Sequence, residues 1–213
     1  MLKVYSMVTG PLGTNTYIFH DEKATDCVIV DPASFERVDS FLKDAGLKPT
    51  HVILTHGHFD HILGVAALQK KYGARVCIHE ADAEALHSDK FSLAAFVGAS
   101  VEKCNADTIL HDDDILDIGG TRVRVMHTPG HSPGSVCYIL ENDRVIFSGD
   151  TLFHLSVGRT DLYKSSQQDL EYSILYKLYR LQGDYEVLPG HEEPTRLDYE
   201  RRNNPVTASY SYD

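Results

Sequence analysis

Three imidazoles and one carboxylate fall within six residues at His56-Gly57-His58-Phe59-Asp60-His61. Imidazole nitrogen and carboxylate oxygen are the donors that zinc, iron and manganese prefer, so this segment can build a transition-metal site. His56 and His58 stand two apart and point the same way in an extended turn. Asp60 and His61 open the helix that follows and point elsewhere. One short loop can therefore feed two adjacent cations. Gly57 allows a tight turn, and Gly64 lets the helix sit close to its neighbours. The alternative is a solvated polar loop, a poor account of so many ligand-type residues directly after an apolar strand.

Three further residues occupy comparable positions. His131 lies in Thr128-Pro129-Gly130-His131-Ser132-Pro133-Gly134-Ser135, where Gly and Pro on both sides fix a turn that aims a side chain. Asp150 follows an apolar strand in Gly149-Asp150-Thr151, where a carboxylate can bridge two cations or simply cap a turn. His191 stands in Pro189-Gly190-His191. Each is weak alone, since a single histidine in a turn is usually exposed. Together they gain weight because the clusters at 56–61, 127–131, 149–151 and 190–191 all leave the ends of apolar strands. Strand ends are rigid platforms whose loops can converge on one site. The other histidines, His20, His51, His79, His87, His111, His127 and His154, are assigned structural or surface roles, His154 being nearest the candidate site in sequence.

Alternation and turn residues predict the positioning elements. Strands are expected at Leu2–Val8, Thr14–His20, Cys27–Asp31, His51–Leu54 and Arg75–Ile78. A helix N-capped by Ser34 runs through Ala45 to Gly46, with Phe35, Val38, Phe41 and Leu42 on one face. A second helix is expected over Ile62–Tyr72, closed by Gly73, and the Ala-rich stretch from Glu80 to Cys104 is expected to be helical. The second half repeats the grammar, with strands at Ile115–Ile118, Thr121–His127, Val136–Leu140, Arg144–Ser148 and Glu186–Leu188. Leu170, Ile174, Leu178 and Leu181 mark a helix over about Gln167–Leu181. Strand-rich halves, each closed by helices, predict two sheets packed face to face with helices outside. The expected class is α+β, in a single domain spanning 1–213.

Composition narrows the partners. A formal net charge of −11 disfavours a nucleic-acid surface, which needs clustered Lys and Arg. No apolar run is long enough to span a bilayer, and the N-terminus lacks a signal-peptide pattern. Cys27, Cys77, Cys104 and Cys137 are scattered without a Cys-x-x-Cys pair; three lie in apolar strands as small core residues. A reducing, cytoplasmic location and a small-molecule substrate are expected.

The pattern His56-x-His58-x-Asp60-His61, then His131, Asp150 and His191, resembles the metallo-β-lactamase superfamily in order, spacing and context. Gly10-Pro-Leu-Gly-Thr-Asn15, Asp31-Pro32 and Gly149-Asp-Thr-Leu-Phe153 extend the likeness over nearly the whole chain. Within the superfamily the chain is most similar to short, single-domain relatives of glyoxalase II (hydroxyacylglutathione hydrolase), through Val157-Gly-Arg-Thr-Asp161 and Glu200-Arg-Arg-Asn-Asn-Pro205. The resemblance implies an αβ/βα four-layer sandwich with a site for two divalent metal ions along one edge, zinc first, with iron or manganese as alternatives. It implies that His56, His58 and His131 hold one ion, that Asp60, His61 and His191 hold the other, and that Asp150 and a hydroxide bridge them. Arg159 takes the place of a basic residue that meets the thioester substrate. The implied reaction is hydrolysis of an S-2-hydroxyacylglutathione such as S-lactoylglutathione, with Asp60 and Asp150 as catalytic groups.

The chain also departs from that pattern. Long glyoxalase II enzymes add a C-terminal helical region with glutathione-binding residues, for which this sequence leaves no length. Leu-Tyr-Lys-Ser-Ser-Gln follows Asp161 where related proteins have a Gly-rich loop, and Glu192-Glu193 follows His191. Persulfide dioxygenases, which use one iron and oxygen, share the Gly-Arg-Thr-Asp stretch at 158–161. Lactonases use the same ligand set, whereas β-lactamases usually carry another residue in the place of Asp150.

Overall fold

The computed structural model describes residues 1–210, and the architecture below is that of the described residues. One sheet holds β1 (Leu2–Thr9), β2 (Thr14–Asp21), β3 (Asp26–Val30), β4 (Lys48–Ile53), β5 (Arg75–His79) and β6 (Thr108–Leu110), paired in that order. Its first three strands are antiparallel, and β3 through β6 are parallel. The second sheet contains β7 (Ile115–Ile118), β8 (Thr121–His127), β9 (Val136–Leu140) and β10 (Val145–Gly149). After a separate hairpin of β11 (Leu152–Phe153) and β12 (Ser156–Val157), the sheet is completed by β13 (Glu186–Pro189) and β14 (Thr195–Arg196). Here β10 and β13 are parallel and the other pairs antiparallel.

The sheets meet across a core that includes Phe19, Val30, Ile53, Val125, Tyr138 and Phe147. Phe19 and Phe147 stack with centroids 5.5 Å apart. Truncating a ring of this kind, as in Phe147→Ala, costs about 3–5 kcal/mol. Two buried tyrosines stitch the layers: Tyr138 Oη donates to the Leu54 carbonyl at 2.7 Å, and Tyr17 Oη to the Pro189 carbonyl at 2.7 Å. On the outer face of the first sheet lie α1 (Phe35–Ala45), the single turn α2 (Phe59–Ile62) and α3 (Val65–Tyr72). On the outer face of the second lie α4 (Gln167–Tyr172) and α5 (Leu197–Asn203). The expected α+β four-layer sandwich is present.

The first helix follows its signals closely. Ser34 Oγ accepts the Arg37 N–H, Gly46 ends the helix at φ 66°, and Val38 and Leu42 are buried. Three expectations need correction. The helix over Ile62–Tyr72 is two pieces, because the Gly64 N–H donates to the Pro32 carbonyl at 2.7 Å instead of closing the α ladder. A Cβ at Gly64 would stand 2.8 Å from that oxygen. The stretch from Glu80 to Cys104 is not α-helical but contains 3₁₀ segments at Glu80–Leu86 and Ala94–Val97. Left-handed Leu93 and Gly98 bound the second, and Asp89 draws the Ser100 hydroxyl and the Val101 N–H away from a helical ladder. The helix over Gln167–Leu181 is α-helical to Tyr172, then passes through a π-turn at Ser173–Lys177 and a 3₁₀ turn. Leu170, Ile174 and Leu178 stay buried while Ser173 Oγ is tethered to the Pro129 carbonyl. The short strands β6, β11, β12 and β14 and the helix α5 carried no signal that sequence periodicity resolves.

The helices behind the site are fastened by one carboxylate. Asp39 on α1 receives Lys43 at 2.8 Å, Tyr72 Oη at 2.5 Å and Lys71, which joins α1 to α3. These donors, Lys43 foremost, hold its carboxyl well below the usual carboxylate range. A depressed folded-state pKa adds stability that is complete above the unfolded value of about 3.9 and is lost as pH falls toward the folded value. Melting curves between pH 3 and 7 should therefore show Asp39→Asn less stable than the parent at pH 7, with the gap closing below about pH 4. A constant gap across that range would contradict the assignment.

Candidate metal centre

Parallel running of β3 with β4, and of β8, β10 and β13, brings five C-terminal strand ends to one edge of the sandwich. The loops leaving them carry Asp31, His56 to His61, His131, Asp150 and His191. The structure gathers all seven of the expected ligand residues there. Six are buried and His191 is partly so. His56, His58 and His131 each bring a ring nitrogen within 4.8 Å of the others, as do the ligand atoms of Asp60, His61 and His191. Asp150 stands between the triads, with Oδ2 3.4 Å from His131 Nε2 and 3.6 Å from His191 Nε2, and Oδ1 3.5 Å from His61 Nε2.

Hydrogen bonds fix which nitrogen each ring offers. The Arg159 carbonyl can only accept, so His131 donates to it from Nδ1 at 2.9 Å and its Nε2 is left bare. His61 Nδ1 donates to Asp31 Oδ2 at 2.9 Å, which frees its Nε2. Thr55 Oγ1 gives its proton to the same carboxylate at 2.5 Å, so it accepts from His56 Nδ1 at 3.0 Å. The lone pair of His56 Nε2 is then buried with no hydrogen-bond partner among the described residues, and so is Asp150 Oδ1. His58 Nδ1 faces His131 Nε2 at 2.9 Å, and His61 Nε2 faces His191 Nε2 at 3.3 Å. Buried polar atoms without partners are rare and costly, and converging lone pairs are what a divalent cation satisfies. The donor set fits two such ions.

The titration pattern agrees with that fit. Burial, followed by the neighbouring imidazoles, holds His56 and His58 well below the usual imidazole range, so their lone pairs are available at neutral pH. Burial also disfavours charge on His61, but Asp150, Asp60 and Asp31 outweigh it and push the group up to about 10. Burial raises Asp60, yet His61 and His191 prevail and keep its carboxyl below the ordinary range. A proton on His61 is the weaker counter-ion to these carboxylates, and a cation would displace it.

The remaining histidines do not join the cluster. His79 and His127 stack on each other at 4.0 Å, and His154 Nδ1 contacts Glu193 at 2.6 Å. His20 Nδ1 meets the Ala24 carbonyl, and His87 and His111 are exposed. The Arg159 side chain borders the open cavity above the ligands, and its guanidinium is held by two bonds to Asp161, at 2.7 and 2.8 Å. Close approach explains one glycine: a Cβ at Gly190 would lie 2.3 Å from Asp150 Oδ1 and 2.7 Å from His61 Cε1.

Sequence reasoning missed two carboxylates that organise the site. Asp31 was visible only as the end of the strand Cys27–Asp31 and as part of the Asp31-Pro32 likeness, yet it orients His61 directly and His56 through Thr55. Asp82 lies in the segment expected to be helical. Its Oδ2 accepts the Gly57 N–H at 2.8 Å and Ser132 Oγ at 2.7 Å, and its Oδ1 accepts the Gly134 N–H at 2.7 Å. One buried carboxylate thereby clamps the loop of His56 and His58 to the loop of His131. No local motif announces a residue whose partners are 25 and 50 positions away. Asp82→Asn keeps the shape but turns one acceptor into a donor, leaving a loop N–H unpaired at a cost of about 1–3 kcal/mol. Competition against a chromophoric chelator should show metal affinity lower by about tenfold or more. Unchanged affinity would refute the clamp.

Residues 9–191 match the family model described as the metallo-beta-lactamase superfamily. Among curated relatives, a probable metallo-hydrolase of Bacillus subtilis is 33% identical over 99% of this chain and 100% of its own length. Hydroxyacylglutathione hydrolase GloC of Haemophilus influenzae is 30% identical over 91% of this chain and 92% of its own. Among solved structures, the BLEG-1 B3 metallo-beta-lactamase superposes with a TM-score of 0.89 at 35% identity, covering 96% of this chain and 98% of that one. TTHA1623, solved in a di-iron-bound form, superposes with a TM-score of 0.85 at 32% identity, covering 94% and 98%. With its fold, its clustered His and Asp donors and a family match over most of its length, the chain belongs to the metallo-β-lactamase superfamily.

Proposed function

We propose that this metallo-hydrolase is a thioesterase acting on S-2-hydroxyacylglutathiones, with S-lactoylglutathione as the first substrate to test. The observation that carries the reading is the pair of ligand triads with Asp150 between them, on the floor of an open cavity of about 700 Å³. The likeness to GloC supplies the substrate class.

His56, His58 and His131 would hold one divalent ion and Asp60, His61 and His191 a second, with Asp150 placed between the two sets. Metal bound there would supply Lewis-acid polarisation of a substrate carbonyl and a water with its pKa lowered toward about 7. Thr14 Oγ1 donates to Asp60 Oδ2 at 3.2 Å, which orients that carboxylate as the acceptor of the water proton. Asp31 keeps His61 turned toward the centre. A side-chain nucleophile has little place in this reaction. Burial pushes the Cys137 thiol up to about 11, and Ser132 Oγ gives its proton to the Asp82 clamp. A thiolate leaves with little protonation, so a general acid is dispensable. Arg159 borders the cavity and contributes at its rim, while its backbone carbonyl sets the tautomer of His131.

The likeness to BLEG-1 favours β-lactam hydrolysis as a second reading, on the same ligands. Metal content should be measured on protein purified without added metal, with S-lactoylglutathione and a chromogenic β-lactam assayed before and after chelation. Two zinc ions per chain and chelator-sensitive thioester hydrolysis are expected. Lactam turnover without thioester turnover would replace the first reading by the second. One iron per chain with negligible hydrolysis of either would refute both and favour sulfur oxidation. Asp150→Ala should lose metal and lower thioester hydrolysis by roughly a hundredfold or more. A variant with two ions and full rate would remove Asp150 from the site.

A further inference from the structure

The lining of the cavity above the ligands includes the apolar side chains Leu12, Phe59, Leu93, Phe96, Val97 and Phe153. Phe59 and Phe153 are buried at its base, and the Phe153 ring lies 6.4 Å from that of His191. Leu12, Phe96 and Val97 stand at the mouth, 57%, 67% and 60% exposed. They come from separate places, the turn between β1 and β2 and the 3₁₀ segment at Ala94–Val97, and so border one cavity only in the folded chain. Apolar side chains this exposed around one cavity mark a surface that is covered when it works.

The charges on the lining argue in the same direction. Arg159 is the one lysine or arginine among the described lining residues, and Asp161 engages its guanidinium through two nitrogens. Glu192 and Asp161 add negative charge at the rim. The apolar lining therefore offers nothing to the carboxylates and amides of glutathione. A lactoyl group, with one methyl and one hydroxyl beyond its carbonyl, has little apolar surface to cover a lining of this kind.

We infer that this wall receives the acyl group of the substrate, and that the preferred acyl group is an apolar chain or ring longer than lactoyl. The inference rests on the thioesterase reading for the reaction and on the cavity alone for the chain. Hydrolysis puts the acyl carbonyl at the ligands, and the acyl tail then extends over Phe59 and Phe153 toward the mouth. The glutathionyl sulfur leaves away from that lining.

The test uses S-acylglutathiones from acetyl through butanoyl and hexanoyl to octanoyl, beside S-lactoylglutathione, on the metal-loaded protein. Binding of S-methyl-, S-butyl- and S-hexylglutathione, which cannot be hydrolysed, is measured by calorimetry in parallel. Both kcat/KM and affinity should rise up to about fourfold per added methylene until the wall is filled. Phe96→Ser and Val97→Ser alter exposed residues and should flatten both slopes. A flat or falling slope in binding, or a slope the two variants leave intact, overturns the inference. Chain-length-dependent binding with no hydrolysis of any thioester upholds the wall and overturns the thioesterase reading instead.

Discussion

The structure depends on a single constraint: bare nitrogen lone pairs and carboxylate oxygens face one another where water is largely excluded. Among the described residues His56 Nε2 and Asp150 Oδ1 have no hydrogen-bond partner, and His58 Nδ1 lies 2.9 Å from His131 Nε2. Such an arrangement opposes folding unless a cation joins it, because desolvated polar atoms lose their hydration for nothing. It persists because the outer nitrogens of His56, His61 and His131 are occupied. Asp31, Thr55 and the Arg159 carbonyl take up the Nδ1 protons, so the inward atoms are left as donors of electron pairs. Rotating any of these rings would break a buried hydrogen bond as well as remove a ligand.

That constraint explains where the scaffold is rigid. Parallel strand ends deliver the ligand loops to one edge, and Tyr17 and Tyr138 fix the separation of the sheets just beneath them. Asp82 then ties the loops of opposite sheets through two N–H groups and a hydroxyl. The exposed part of the cavity's apolar lining, Leu12, Phe96 and Val97, belongs to less regular backbone, the β1–β2 turn and a 3₁₀ segment. The ligand residues rest on strand ends and clamps, whereas the exposed apolar rim at Leu12, Phe96 and Val97 rests on loops, which can change without moving a ligand residue.

Much of this was legible in the sequence, for physical reasons. The four-layer sandwich follows from alternating strands and from helices such as α1, whose cap, face and terminating glycine are all local features. The seven ligand-type residues stood out because each cluster directly follows an apolar strand. Long-range capture was not legible. Gly64 breaks a helix by bonding to Pro32, Asp89 unwinds the middle segment, and Asp31 and Asp82 work on loops far away in the chain. The cavity wall was equally hidden, since Leu12 and Phe96 become neighbours of one space only after folding.

The central claim is that one buried cluster holds two divalent ions through named atoms. Crystals of the protein, with diffraction recorded on either side of the absorption edge of the bound metal, test it most directly. The account predicts two anomalous peaks roughly 3.5–4 Å apart. One should be bound by His56 Nε2, His58 Nδ1 and His131 Nε2, and the other by Asp60, His61 Nε2 and His191, with Asp150 reaching both. A single peak, or peaks on other side chains, would contradict it.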